Sequence, residues 1–558
     1  MTRHPTPTRS TARRPDGAGR LSSVRRSQGQ ALPWGRLPAR RAGGLEGRGV
    51  RCHGGWRPWT SFRLPDRRAQ TEAGMSESSP VGFEPVPAEA RGPPEEGPQG
   101  FWASVKEAIH GTERDLTRLP VRSAIFLLAV PMVLEMMMES VFAVVDVFFV
   151  GRLGADAVAA VGLTESLLTI IYAASAGLSI GATALVSRRI GEGDPERAAR
   201  TAVQAVGLGV VLSIPVSVAG VYFARPLMTL MGGSPWVLEH GIRYTQVMLG
   251  GMGSVLLLFL INAIFRGAGD AAIAMRVLWL ANAINIVLAP LLIFGVGPFP
   301  ELGVMGAAVA TTFGRSCGVA YQLYRLARGS GRLRLRREHL RLEPGTMLAM
   351  LRMSGAGTAQ ALVGTTSWVV LARIVATFGS AAVAGYTIAL RIVLFALLPS
   401  WGLSNAAATM VGQSLGAGKP ERGEHAVWTA GRINAVFLGS LGLLFVLAAN
   451  PVVGIFTNDA AVMKEAVLAL RILSASFLFY AFGMVLTQAF NGAGDTTTPT
   501  VLNICCFWLL ELPLAWVLSG PLGLGPPGAF LSISVAFSVM ALVAVVLFRR
   551  GTWKHRVV

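Results

Sequence analysis

Long apolar stretches fill the chain from Leu119 almost to its C-terminal end. Twelve of them hold twenty or more residues, enough to cross a bilayer as an α-helix. Of the 558 residues, 52% are hydrophobic and only 15% are charged, whereas a soluble domain carries about 25% charged residues. The sequence therefore predicts an all-α integral membrane protein with twelve transmembrane helices. The predicted spans lie near residues 122–150, 157–187, 201–224, 238–264, 272–296, 303–327, 346–376, 382–412, 427–450, 463–489, 497–520 and 526–549.

The loops between the spans differ in their content of Arg and Lys, and this difference predicts the orientation of the chain. Loops on one side of the membrane are rich in basic residues, whereas the loops 151–156, 297–303, 377–381 and 520–527 carry almost none. We therefore expect a multi-pass membrane protein with both termini in the cytoplasm. The basic residues behind this prediction are Arg188, Arg189, Arg197, Arg200, Arg332, Arg334, Arg336, Arg337, Arg341, Lys419, Arg422, Arg549, Arg550, Lys554 and Arg556.

Residues 1–74 form a basic tail without any apolar run. They contain sixteen Arg, no Lys and four acidic residues, and so contribute +12 to the formal net charge of +19. Such a composition cannot bury enough apolar surface to fold, so we predict a disordered tail followed by a cytoplasmic segment, 75–118. Three interpretations stay open: a start codon assigned upstream of the true one at Met75, a transit peptide, or a tail that binds nucleic acid or anionic lipid. The missing apolar core excludes a secretory signal peptide.

Three short motifs recur at a constant offset of 225 residues. The offset predicts two six-helix lobes, residues 119–327 and 346–549, joined by a basic cytoplasmic linker, 328–345, and followed by a cytoplasmic C-terminus, 550–558. Because each lobe has an even number of spans, the lobes are parallel repeats about an axis along the membrane normal, with a cleft between them. In the second motif, Gly residues are predicted to end one helix and a proline to begin the next. The pairs are GADAVAA at Gly154 and GSAAVAG at Gly379, IGEGDPER at Ile190 and LGAGKPER at Leu415, and FRGAGD at Phe265 and FNGAGD at Phe490.

The first predicted span carries three acidic residues, Glu135, Glu139 and Asp146. On a helix they fall within about 40° of one another and share one stripe. An acid at the bilayer centre costs about 2.5–3.5 kcal/mol, so this stripe is expected to face a cavity or a partner. Like charges disfavour simultaneous ionisation, and we interpret the stripe as a proton- or cation-coupling site. The alternative is structural pairing of one acid with an Arg such as Arg373 or Arg391. The residues 225 positions later are not acidic; they are Gln360, Gly364 and Leu371. Because residues that the fold needs recur in both repeats, the absence of these acids from the second repeat favours a functional role for them.

Further polar residues lie in the predicted spans. Asn262 and Asn285 are predicted to complete the coupling site through hydrogen bonds to carboxylates; the alternative for Asn262 is that it only caps or joins helices. Glu165, Glu511 and Met138 are assigned to a possible substrate cavity, with Glu511 as a contact for a cationic substrate and Met138 as an adaptable wall or a lipid-facing filler.

The sequence contains no motif typical of an enzyme site. All seven His residues lie in the tail, in loops or at span ends, and no Walker A, GxSxG or dinucleotide fingerprint occurs. We therefore expect no enzymatic activity, no cofactor and no resident metal, apart from a Na⁺ at the coupling site if that ion drives transport.

From about Leu119 to Phe548 the chain resembles the multidrug and toxic compound extrusion (MATE) family of secondary antiporters. The resemblance rests on AVPMVLEMMMESVFAVVDVFFVGRLG in the first span, the turns IGEGDPERA and LGAGKPERG, the pair FRGAGD and FNGAGD, and NIVLAPLLIFGVGPFPELGVMGAAVAT. It implies a V-shaped pair of lobes that exports small cationic or amphipathic drugs in exchange for H⁺ or Na⁺.

The resemblance also implies roles for single residues. Asp146 matches the first-span acid of the family, and Asn262 and Asn285 match its amide positions. Related members have Asp in the pattern NxxLDP, where this chain has Ala289. Our hypothesis is that the extra acids Glu135 and Glu139 compensate for the missing carboxylate.

Two other functions are weighed against drug export. A lipid-linked oligosaccharide flippase has a similar two-lobe architecture and is favoured by a strongly cationic cavity. A membrane-anchored scaffold would act through the basic tail. We expect a monomer in contact with membrane lipid and with no nucleic-acid partner.

Overall fold

The computed structural model describes residues 100–556 except residues 113, 330 and 342. The predicted basic tail, 1–74, and residues 75–99 lie outside the described residues. The described part of the chain is helical and contains no strand. Its main helices are α1 (Phe101–His110), α2 (Val121–Gly151), α3 (Ala155–Gly191), α4 (Pro195–Leu230), α5 (Val237–Ala268), α6 (Ala271–Phe294), α7 (Val304–Arg328), α8 (Pro344–Ala376), α9 (Ser380–Gly416), α10 (Pro420–Leu447), α11 (Ala460–Ala475 and Phe477–Gly492), α12 (Thr497–Ser519) and α13 (Pro526–Arg549).

Helices α2 to α13 correspond in order to the twelve predicted spans. Among the described residues, ten of these helices are long and apolar enough to cross a membrane, and α11 meets the same condition as two segments bent by 56°. Helix α7 has 25 residues, about 37 Å of helix, but polar side chains such as Arg315 and Gln322 leave it short of that apolarity. The predicted all-helical membrane fold is confirmed.

The helix boundaries repeat at the offset of the motifs. The starts of α3 and α9, their ends, and the starts of α4 and α10 are each 225 residues apart. In the turns, Gly193 and Gly418 have φ values of 78° and 69°, which glycine adopts without strain. Pro195 and Pro420 occupy the first helical turn, where a missing N–H leaves no hydrogen bond unmade. The turns therefore have the predicted structure.

The two lobes, α2–α7 and α8–α13, pack against each other through their first two helices. Helix α2 contacts α9, α8 contacts α3, and α3 contacts α9. Because α8 is the repeat of α2 and α9 is the repeat of α3, the contacts α2 to α9 and α8 to α3 are equivalent. We call this contact region the seam; it includes the helix that carries the three predicted acids.

The GAGD motifs attach the segment that leaves each lobe. Asp270, after α5, accepts a hydrogen bond from the backbone N–H of Arg332 in the linker, at 3.0 Å. Asp495, after α11, pairs with Arg556 near the C-terminus, at 3.1 Å. These contacts lie at the end of the bundle where α3 and α9 end, which we call the basic end because of its Arg and Lys residues. In both lobes the Asp of the repeated motif therefore binds the segment that follows the lobe, at the same end of the bundle.

Two glycines of the repeated turns allow the lobes to approach at the basic end. A Cβ at Gly191 would overlap the carbonyl oxygen of Gln413, and a Cβ at Gly416 would overlap that of Arg188. The ends of α3 and α9 are therefore in backbone contact across the seam. These glycines have a packing role that is separate from the turn geometry of Gly193 and Gly418.

The substitution Gly416→Val is expected to lower the free energy of unfolding by about 1–3 kcal/mol, the usual cost of overpacking. The obstructing atoms belong to backbone and cannot rotate away. Thermal unfolding of the detergent-purified protein measures the loss. Gly207→Val is the matched control, since a Cβ at Gly207 has no atom within 4 Å. Equal losses in the two variants contradict close packing of α3 on α9.

Candidate functional site

Helix α2 carries the predicted acids through the apolar bundle. Glu135 and Asp146 are buried, and Glu139 is partly exposed. Pro131 has no N–H, so one helical hydrogen bond is absent a single turn before Glu135. Since α2 packs on α6 of its own lobe and on α9 of the other, a change of charge on α2 acts at the seam.

Glu135 is the centre of a buried polar cluster. Arg266 Nη1 lies 2.8 Å from Glu135 Oε1, and Asn262 Nδ2 donates to the same oxygen at 3.0 Å. Gln322 Nε2 donates to Asn262 Oδ1 at 2.6 Å. The other carboxylate oxygen, Oε2, has no hydrogen-bond partner within the described part of the chain. Asn262 thus bonds a carboxylate, as predicted, whereas the partner of Glu135 is Arg266 and neither Arg373 nor Arg391.

The backbone beside this cluster contacts the second lobe. Thr409 Oγ1 donates to the carbonyl oxygen of Arg266 at 3.2 Å, and Gln413 Nε2 donates to that of Gly267 at 3.0 Å. Both donors lie on α9 and are buried. The Glu135 cluster is therefore joined to the seam through main-chain hydrogen bonds.

Glu139 is held by two side chains of its own lobe. Asn282 Nδ2 on α6 donates to Oε2 at 3.2 Å, and Arg315 Nη2 on α7 lies 3.7 Å from Oε1. Arg315 also donates from Nη1 to the hydroxyl of Tyr172 at 3.1 Å. Its side chain is 5% exposed, and the rings of Phe142, Tyr172 and Phe259 lie 5.6–5.9 Å from its guanidinium carbon.

Asp146 is buried but less completely paired. Its Oδ1 has no hydrogen-bond partner among the described residues. It interacts electrostatically with Glu165 on α3 and with Arg315. Glu165 is exposed and interacts in turn with Arg391 on α9. Among the described residues Asp146 thus makes no ion pair of the kind that Glu135 and Glu139 make, and Glu165 connects its surroundings with the second lobe.

Two other predicted site residues have different surroundings from those expected. Asn285 Nδ2 donates to Thr311 Oγ1 at 2.7 Å, so the predicted bond from Asn285 to a carboxylate is wrong; its neighbour Asn282, one turn earlier, makes that bond. Ala289 is buried in an apolar cluster. Met138 is partly buried on α2, which fits either of its predicted roles.

Glu511 lies in the second lobe, away from α2. Its side chain is buried, and neither carboxylate oxygen has a hydrogen-bond partner within residues 100–556 as described. It interacts electrostatically with Tyr386 and Tyr480. Both tyrosines line an apolar cavity with Trp368, Phe477 and Phe537 among its other walls. The second lobe therefore contains an acid behind an aromatic cavity.

Sequence reasoning missed both arginines that pair with the acids. Arg266 stands in FRGAGD where the second repeat has Asn491. Like Glu135, Arg266 is thus a charged residue that the second repeat lacks. Arg315 is an unrepeated charge inside a predicted span. A search for intramembrane cations as well as acids finds both. Within the described residues no three His, Cys, Asp or Glu side chains meet as metal ligands.

Arg266→Leu is expected to destabilise the protein by about 3–5 kcal/mol, because it leaves Glu135 buried without its counter-charge. The double variant Arg266→Leu/Glu135→Leu is expected to recover most of that loss, since apolar replacement of a whole buried pair is often near neutral. Thermal unfolding in detergent measures both, with Arg243→Leu at an exposed position of the same lobe as control. A double variant less stable than the single one contradicts the pairing.

Known proteins with similar sequences and structures identify the family of this chain. The profile of the MatE family matches residues 131–291 and 359–517, one match in each lobe. The probable multidrug resistance protein NorM of Thermotoga maritima is 26% identical over 446 residues, which cover 78% of this chain and 94% of that protein. The FAD transporter of Shewanella oneidensis is 26% identical over 435 residues, which cover 78% and 96%.

A solved structure has the same fold. It is described as the outward-facing conformation of a multidrug resistance MATE family transporter, with a TM-score of 0.75 and 26% identity, covering 80% of this chain and 99% of that one. The two family matches together span more than half of the chain. The resemblance seen in the sequence is thereby confirmed: the chain belongs to the MatE family of membrane transporters.

Proposed function

We propose that this protein is a secondary multidrug exporter, which moves cationic or amphipathic compounds out of the cell in exchange for H⁺ or Na⁺. The observation that carries the proposal is the buried, incompletely paired carboxylate of Asp146 on a helix that packs against both lobes. An ionised carboxylate at this depth costs free energy unless a cation or a proton neutralises it. Binding of the coupling ion therefore changes the energy of α2 in one lobe arrangement relative to another.

Glu139 is the better candidate to replace the carboxylate missing at Ala289. Its two oxygens contact Asn282 and Arg315 in the same lobe, and it keeps partial access to solvent. Glu135 is completely buried and paired with Arg266. We therefore assign coupling to Asp146 and to Glu139 two turns earlier on α2, and a structural role at the seam to Glu135, Asn262 and their partners.

Glu511 is the proposed contact for the cationic part of a substrate. Aromatic rings attract cations through their electron-rich faces, and an acid near such rings strengthens that attraction. Tyr386, Tyr480, Trp368 and Phe537 line the cavity next to Glu511. Glu165, which is exposed and interacts with Arg391 of the second lobe, is proposed as a second negative charge along the path.

The proposed location is the bacterial inner membrane with the basic end in the cytoplasm, as the positive-inside rule directs. The linker residue Arg332 and the C-terminal Arg556 both lie at that end. In the described arrangement the lobes are in contact there through Gly191 and Gly416, which supports a state closed to the cytoplasm.

An anionic aromatic substrate is the second candidate. Arg391 lies in a groove between α8 and α9 with Trp368 and Tyr386, and the Shewanella relative is called an FAD transporter. The flippase alternative has less support, because Arg315 and Arg391 interact with the acids Asp146 and Glu165 and do not form a strongly cationic surface. Efflux from proteoliposomes loaded with either ethidium or FAD separates the two substrate classes.

Asp146→Asn is expected to abolish ion-driven efflux of ethidium from proteoliposomes, because an amide cannot exchange a proton or balance a cation. Gradients of H⁺ and Na⁺ are imposed separately, and the same preparations are checked for correct folding. Asp156→Asn, at an exposed position at the start of α3, is the control and is expected to transport like the wild type. Wild-type efflux that persists without either gradient contradicts antiport.

Deletion of residues 1–74 is expected to leave drug resistance of expressing cells unchanged, because the transport machinery lies entirely in the helical bundle. Minimum inhibitory concentrations of ethidium, compared at equal membrane expression, measure the effect. Loss of resistance in the deletion variant at normal expression favours the scaffold interpretation, in which the basic tail is the acting part.

A further inference from the structure

Arg315 introduces a permanent positive charge into the first lobe. Arginine keeps its charge in proteins, and this one is held by the hydroxyl of Tyr172 at 3.1 Å and by three surrounding rings. Its side chain is 5% exposed. The guanidinium can therefore neither lose its charge nor move away into water without breaking these contacts.

Both carboxylate oxygens of Glu139 are already engaged, one by this arginine and one by Asn282. Hard cations bind several oxygen ligands at once. Glu139 has Arg315 near Oε1 and Asn282 on Oε2. Ala289, on the same helix as Asn282, is buried in an apolar cluster and supplies no carboxylate. A Na⁺ entering here would have to displace the guanidinium or accept a like charge within a few ångströms, which is strongly unfavourable in an apolar interior.

A proton has much smaller requirements. It needs one carboxylate oxygen and no coordination shell, and the buried Oδ1 of Asp146 has no hydrogen-bond partner among the described residues. The ionisable groups near Asp146 are Glu165 on α3, Arg315 on α7 and Tyr244 on α5. From α9, Arg391 acts on this group through Glu165. Of these, Arg315 is the buried cation.

We infer that Arg315 determines the coupling ion: its guanidinium occupies the place of a mobile cation beside Glu139 and restricts coupling to H⁺ at Asp146. The inference rests on the proposed function, because it names the ion of that antiport. Arg315 acts through the two acids without touching the substrate, so it is a positioning and selectivity residue.

The test measures ethidium efflux from proteoliposomes under a pH gradient alone or a Na⁺ gradient alone. The wild type is expected to respond to the pH gradient and to ignore Na⁺. Arg315→Gln frees the oxygens of Glu139, and a Na⁺ gradient is then expected to stimulate efflux by about tenfold, a typical size for coupling between two sites. Arg315→Lys keeps the charge and is expected to remain indifferent to Na⁺, whereas a purely structural role would be lost in both variants.

Two further variants complete the design. Arg243→Gln removes an exposed arginine of the same lobe and is expected to behave like the wild type. Arg315→Gln/Glu139→Gln removes the freed carboxylate and is expected to abolish the new response to Na⁺. Thermal unfolding of the full wild-type chain in NaCl and in KCl needs no variant, and equal stability in the two salts is expected.

The outcomes separate this inference from the proposed function. Wild-type efflux driven by Na⁺, or stabilisation of the wild type by NaCl over KCl, overturns the inference and leaves antiport standing. Proton-driven efflux in Arg315→Gln that stays indifferent to Na⁺ also overturns it. Wild-type efflux without response to either gradient overturns the proposed function, and the inference falls with it.

Discussion

Pairing of buried charges inside the first lobe is the constraint on which the rest of the structure depends. The apolar bundle cannot hold the acids of α2 alone, because isolated charges in a membrane are costly. Arg266 and Arg315 provide the opposite charges, at 2.8 Å from Glu135 and 3.7 Å from Glu139. Each arginine comes from a different helix, so the pairs also determine how α5 and α7 pack around α2.

These two pairs divide the acids of α2 by role. The Glu135 pair is buried and lies beside backbone groups that bind α9 of the second lobe. The Glu139 pair is partly open to solvent. Asp146, two turns further along, has an oxygen without a hydrogen-bond partner among the described residues. The helix thus runs from a fixed contact at the seam towards the acid to which we assign the coupling ion.

Much of this architecture could be predicted from the sequence, because a membrane imposes long apolar stretches whose limits are visible in composition. The twelve helices and the repeated turns at Gly193 and Gly418 follow from that pattern. The bond from Asn262 to Glu135 was also foreseeable, since an amide on a neighbouring span is a natural partner for an acid.

The residues that pair with the buried acids could not be predicted from the sequence in the same way. Pairing depends on which helix faces lie opposite each other in three dimensions, and periodicity within one span does not contain that information. Asn282 and Asn285 both lie on α6, yet only Asn282 reaches a carboxylate in the described structure, and Asn285 bonds Thr311. The backbone contact at Gly191 and Gly416 could not be predicted either, because the sequence motif already explained both glycines as turn residues.

We propose that the charge on Asp146 controls the arrangement of the two lobes. Spin labels at Arg200→Cys and His425→Cys test it directly, because these exposed positions are equivalent in α4 and α10 at the basic end. The four native cysteines are replaced in that variant. The account predicts that the distribution of distances between the labels shifts with pH and that Asp146→Asn abolishes the shift. A shift with pH that is unchanged in Asp146→Asn would contradict the account.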